Sequence, residues 1–142
     1  MIMLPKKNTY DLPEGGYRSI LKDAFIVRQS EYGKGEDVLR LVFQITSLEH
    51  PRYNYLAGKN YKMSDPGKIG NDLDAWIGDE LLKLLNEKGG ITIEAIETLI
   101  GSEADIEIVL IYNDDHETAF RHIVRILPPG TLVDDDQLRA AA

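Results

Sequence analysis

Residues 53–78 read YNYLAGKNYKMSDPGKIGNDLDAWIG, and the repeat of the chain changes in the middle of them. Before Met63 the residues are strand formers. Tyr53 and Tyr55 are two apart, as are Lys59 and Tyr61, so each pair falls on one side of an extended chain. After Ser64 the apolar step becomes three and four, through Ile69, Leu73, Trp76 and Ile77. Asp65 offers an N-cap, and Pro66 sits at the first helical position, where its missing N–H costs nothing. The stretch therefore predicts a strand, with a bulge or bend at Gly58, running into a helix interrupted at Gly78.

Working outward, DVLRLVFQITS (37–47) is the clearest strand of the chain: Leu39, Leu41, Phe43 and Ile45 share one face, with Arg40, Gln44 and Thr46 on the other. Upstream, residues 17–29 alternate as a half-buried strand whose two sets are Ile20, Lys22, Ala24, Ile26 and Leu21, Asp23, Phe25, Val27. Downstream, DELLKLLNEK (79–88) reads as a second helical stretch stopped by Gly89 and Gly90. ITIEAIETLIG (91–101) reads as a helical turn from Thr92, with Ile93, Ile96, Leu99 and Ile100 packed inward. ADIEIVLIY and AFRHIVRIL then make a hairpin across NDDHET, closed by PPG.

Three strands, a helical segment and two strands are too few for a closed sandwich but fit a mainly β, five-stranded Greek-key barrel of the oligonucleotide/oligosaccharide-binding (OB) type, order β-β-β-α-β-β. The predicted organisation is an irregular leader over 1–16, an OB-like domain over 17–130 and an acidic flexible tail over 131–142.

Charge divides the chain at Lys68. Residues 1–68 hold 11 Lys and Arg against 8 Asp and Glu, whereas residues 69–142 hold 5 against 16, within a total of -8. Eight of the 11 aromatic residues lie in the basic half. Basic groups for phosphates and rings for bases are what a single-strand nucleic-acid surface requires. A β-rich half that uses tyrosine for core and edge would have the same composition. The second and third strands carry the ligand face of an OB barrel, which points to Arg40, Arg52, Lys59 and Lys62 for phosphate contact and to Tyr53, Tyr55 and Tyr61 for stacking. Against this stands an overall pI near 4.8, which requires the acidic groups to face away from any binding groove.

The string from Gly16 to Gly130 resembles a group of small bacteriophage proteins that bind single-stranded DNA in replication or recombination. The likeness rests on Gly16-Tyr17-Arg18, Leu41-Val42-Phe43, Asp72 through Gly78, Leu99-Ile100-Gly101 and Ile126 through Gly130. Trp76 and Gly78 are its most distinctive pair, and all are packing or turn residues. The resemblance implies sequence-nonspecific binding of single-stranded DNA in the cytoplasm of a bacterial host. Asp134, Asp135 and Asp136 resemble the acidic part of the flexible tips by which bacterial single-stranded-DNA-binding proteins recruit partners. The apolar terminal pair of such tips is missing, and Arg139 interrupts; a solvated tail explains the same residues. The alternative to DNA binding is a protein-interaction module of phage replication or assembly that uses the acidic surface around residues 69–117 or the tail to hold phage or host replication proteins.

No enzyme is expected. The chain has no cysteine, so it has no disulfide, thiolate metal site or cysteine nucleophile. His116 and His122 lack the further ligands of a zinc site, Asn113 through Glu117 make a hairpin turn and not a calcium loop, and no phosphate-cradling glycine loop or triad signature is found. No cofactor is implied. No apolar stretch reaches membrane-spanning length or makes a signal peptide.

Overall fold

A computed structural model describes residues 13–29, 33, 35–47, 55–81, 83, 90–112, 114–115 and 119–134. Its spine is β1 (Gly15–Val27), which is long enough to take two partners. The first half of β1 pairs antiparallel with β4 (Glu103–Tyr112), from Gly15 opposite Ile108 to Ile20 opposite Glu103. The second half pairs with β2 (Val38–Ile45), from Ser19 opposite Ile45 to Val27 opposite Val38. Adding β3 (Leu56–Lys62) beside β2 and β5 (Ala119–Leu127) beside β4 gives one five-stranded antiparallel sheet in the order β3-β2-β1-β4-β5. The predicted mainly β class and the linear order of elements are present, with short helices between β3 and β4, among them a described helical stretch over residues 79–81 and 83 after Gly78.

In β2 the alternation is as the sequence indicates: Leu39, Leu41, Phe43 and Ile45 are buried, and Arg40 is exposed. In β1 the alternation breaks. The register with β2 shifts between Leu21 and Asp23, so one extra residue is accommodated there, and the Asp23 carboxylate accepts the N–H of Ala24 at 2.8 Å. Leu21 points into the core before this bulge and Ala24 after it, so the two predicted sets exchange faces along the strand. In β3 the reverse holds: pairing with β2 is unbroken from Leu56 to Lys62, and Gly58 marks neither a bulge nor a bend.

Helix α1 (Pro66–Ile77) begins at Pro66 as predicted and buries Ile69, Leu73 and Trp76 against the sheet. Asp65 occupies the cap position without a side-chain cap bond. Trp76 docks the helix twice: its ring meets Phe43 edge-on at 5.8 Å, and its Nε1 donates to the Glu103 carbonyl at 2.9 Å. Gly78 ends the helix at φ 48°, a conformation that disfavours other residues, and its N–H returns to the Asp74 carbonyl. Helix α2 (Ile93–Glu97) starts from Thr92, whose Oγ1 accepts the Ala95 N–H at 3.1 Å. Ile96 and Leu99 pack inward and Ile93 partly so, whereas Ile100 is exposed, contrary to the sequence reading. No helix among the described residues is long and apolar enough to cross a membrane.

At the far end of β5, Pro128, Pro129 and Gly130 turn the chain back over the sheet, and residues through Val133 stay docked, with Val133 buried. They are held by Asp105, which is wholly buried. Burial works against its charge, but the Arg18 guanidinium at 2.6 Å and the N–H groups of Val133 and Leu132 hold its carboxyl below the usual carboxylate range. An aspartate bound more tightly as an anion in the fold than in the open chain stabilises above its ordinary pKa, and that contribution disappears as pH falls through the lowered one. Replacing Asp105 with Ala takes from the buried Arg18 its buried carboxylate, and we expect a loss of about 3 kcal/mol in urea unfolding at neutral pH. The gap between the variant and the parent should narrow at pH 3 and below.

Candidate nucleic-acid interface

Directly opposed residues of an antiparallel pair point to the same side of the sheet, so the registers sort the predicted site residues. Lys59 lies opposite Leu41 and Tyr61 opposite Leu39, on the core side. Arg40 lies opposite Asn60 and Lys62 opposite Val38, on the outer side. Tyr55 is half buried and packs against the core. Arg52 and Tyr53 lie outside the described residues. The seven residues are therefore not one surface.

On the core side, Tyr61 is 2% exposed, so its ring is not open to a base. Its hydroxyl donates to Asp72 Oδ2 of α1 at 2.6 Å, and Lys59 Nζ reaches the same oxygen at 2.8 Å while sitting 5.4 Å from the Tyr61 ring centre. Burial, then the hydrogen bond and charge of Asp72, push the Tyr61 hydroxyl far above its ordinary value. This trio fastens β3 to α1. His122 of β5 lies in its field: burial lowers its pKa, as do Lys59 and Lys68, against an opposite pull from Asp72.

The outer side of β1, β2 and β3 has a different character. Across the three strands run the rows Phe25-Arg40-Asn60, Asp23-Val42-Gly58 and Ile20-Gln44-Leu56, with Lys22 in the bulge and Lys62 at the end of β3. Phe25 is 39% exposed and Leu56 49%, and Lys22, Arg40, Asn60 and Lys62 are exposed. This face has three cations against the single carboxylate of Asp23, whose Oδ1 is engaged with Ala24 N–H. Among the described residues the ion pairs take Arg18, Arg28, Lys59 and Arg125, and none takes Lys22, Arg40 or Lys62.

Glu103 of β4 continues the Ile20 row and pairs with Arg18 at 3.2 Å, and the other acids bordering this face have partners of their own. Glu36 accepts from Ser64 Oγ at 2.8 Å and from its N–H at 3.2 Å, and Asp37 stands 3.9 Å from Arg28. Arg40 is laid across β3: a Cβ at Gly58 would lie 2.9 Å from its Nε, 3.1 Å from Nη2 and 3.4 Å from Cζ. The arrangement presents a ring, a planar cation and further positive charge to solvent, a set suited to stacking and phosphate contact and not to bond making. Among the described residues no group of three His, Asp or Glu side chains could hold a metal ion.

Lys22 and Phe25 are the members of this face that sequence reasoning missed. Strict alternation assigns Phe25 to the side of Leu21, and only the bulge turns it out. The available signal was Asp23, a carboxylate in the middle of a strand-forming run and a residue that favours local bonds to the backbone.

The core-side trio yields a prediction. Tyr61→Phe should cost about 1 kcal/mol in thermal or urea unfolding, because one hydrogen bond to Asp72 is lost while Lys59 remains. His122 binds its proton less readily in the fold than in the open chain, so stability should fall as pH drops below 6.5, its ordinary value, and His122→Gln should flatten that slope. No protein-family model matches the chain, and no curated protein matches it.

Proposed function

We propose that this protein binds single-stranded DNA without sequence preference, through the outer face of β1, β2 and β3, and performs no chemistry on the strand. The observation that carries this reading is the composition of that face. In a chain of net charge -8, it gathers Lys22, Arg40 and Lys62 around an exposed aromatic ring, with one carboxylate among them. Phosphates supply the charge partner and unstacked bases supply the flat apolar partner.

The sheet order supports the OB-type reading, because a five-stranded barrel of that kind also shares its first strand between the second and the fourth and closes between the third and the fifth. In this reading β3 and β5 are the closing edges, and α1, which packs on both, plugs the end of the barrel. A phage or prophage setting in DNA replication or recombination follows from the resemblance of residues 16–130 and belongs to the same proposal.

Binding of labelled oligothymidine, followed by fluorescence anisotropy, should be detectable at low ionic strength and should exceed binding to a duplex of equal length. Neutralising three phosphates gives a log–log salt slope of about -2, at roughly 0.7 per phosphate on a single strand. Lys62→Ala should weaken binding and make the slope shallower by about 0.7. Absence of binding at low salt would remove nucleic acid from the account and direct the search to protein partners of the acidic surface.

A further inference from the structure

Gly58 stands in the middle of a regular strand without any of the usual reasons for glycine. Its backbone is not left-handed, and the pairing of β3 with β2 runs through it without a shift. Glycine inside a strand lowers stability, because it gains nothing from side-chain packing and loses the most freedom on folding. What its missing side chain provides is room. The position a Cβ would take is 2.9 Å from the Arg40 Nε, closer than real Cβ atoms come, and 3.1–3.4 Å from its Nη2 and Cζ.

Arg40 is thus able to lie down on β3 and not stand up from β2. In the same row, Phe25 lies opposite Arg40 on one side and Asn60 on the other. Strand spacing is about 4.8 Å, so the guanidinium over β3 lies about two spacings from the strand that carries Phe25. The Phe25 ring is turned to solvent by the bulge at Leu21 and Asp23. The outer face therefore carries an open aromatic ring over β1, a guanidinium plane over β3 and an amide on β3 that can both donate and accept.

From this geometry we propose that Phe25, Arg40 and Asn60 form the seat of an unstacked nucleobase, and that Gly58 is its positioning residue. The seat rests on the single-strand reading above and adds to it a discrimination that charge alone does not make, between a strand with bases and a backbone without them. Phe25 and the flattened Arg40 give the base two planar surfaces, since a guanidinium stacks on π systems as an ammonium does not. Asn60 meets the base edge in either amide orientation, so the seat accepts any base.

The test compares binding of oligothymidine with binding of an abasic strand of the same length and charge, by anisotropy at low salt. The parent should prefer the strand with bases by about tenfold, while Phe25→Ala, Gly58→Ala and Arg40→Lys each abolish most of that preference. Lys62→Ala should weaken both strands alike. Gly58→Ala displaces only the flexible end of a side chain, so its melting temperature should stay close to the parent's; should it fail to fold, Arg40→Lys decides the matter, because it keeps the charge and removes the plane. Equal binding of the two strands by the parent, or a preference untouched by the three variants, would overturn the base seat and leave a phosphate-only surface. No binding of either strand would overturn the single-strand reading itself, and the seat with it.

Discussion

The structure depends on one buried ion pair. Arg18 near the start of β1 and Asp105 in β4 are 87 residues apart and meet at 2.6 Å, with Asp105 cut off from solvent. Two charges taken out of water are tolerable only when their remaining hydrogen-bonding capacity is met. Here Asp105 Oδ2 accepts the N–H groups of Gly130, Leu132 and Val133, each at 2.9 Å, while Arg18 reaches the Val133 carbonyl and Glu103. The backbone of Arg18 also takes the N–H of Thr46 at 2.8 Å, beyond the end of β2. A single residue thus ties β1 to β2, to β4 and to the segment after β5. Gly130, at φ 91°, makes the turn that delivers those three N–H groups to one oxygen.

With that end of β1 pinned, the bulge farther along the strand decides which way its second half faces. Without it, Phe25 would follow Leu21 into the core and Ala24 would face out. With it, the small Ala24 goes in and Phe25 comes out, opposite Arg40. The candidate interface is therefore a consequence of backbone register in β1 more than of the residues on β2 and β3. The ion pair and the bulge are connected through this strand: one fixes its position, the other its phase.

What the sequence disclosed follows the same logic. Repeats that are local were legible: the alternation of β2, the change of period at Ser64, the opening of α1 at Pro66 and the cap at Thr92 are all set by neighbours within a few positions. What was not legible depended on partners far along the chain. Nothing local marks Arg18 and Asp105 as a pair, or Asp72 as the acceptor for both Tyr61 and Lys59. The site residues show how one register assumption propagates. On β3, Tyr55, Lys59 and Tyr61 have odd numbers and Lys62 an even one, so an unbroken strand separates them by face. A bulge at Gly58 would have changed that sorting, and the glycine invited the inference; the bulge lies instead in β1, at an aspartate.

Charge counting along the chain likewise overstated the basic half and understated the geometry. Lys59 is engaged in fastening α1 to β3 through Asp72, and Arg18 is inside, so neither contributes to an open positive surface. The cations that remain open are few, but on the part of that side made by β1, β2 and β3 they meet a single carboxylate, while the β4 acids Glu103, Asp105 and Glu107 on the same side are paired with Arg18 and Arg125. The acids of α1 and α2, including Asp72, Asp74, Glu94 and Glu97, belong to helices that pack on the other side. A layer of sheet and packed helix is about 10 Å thick, comparable to the distance of about 8–10 Å over which physiological salt screens a charge. An acidic protein can therefore carry a locally positive face, provided that its helices lie behind the sheet and not beside it. That placement is fixed in turn by Trp76, whose contacts with Phe43 and the Glu103 carbonyl hold α1 to the core side of the same strands.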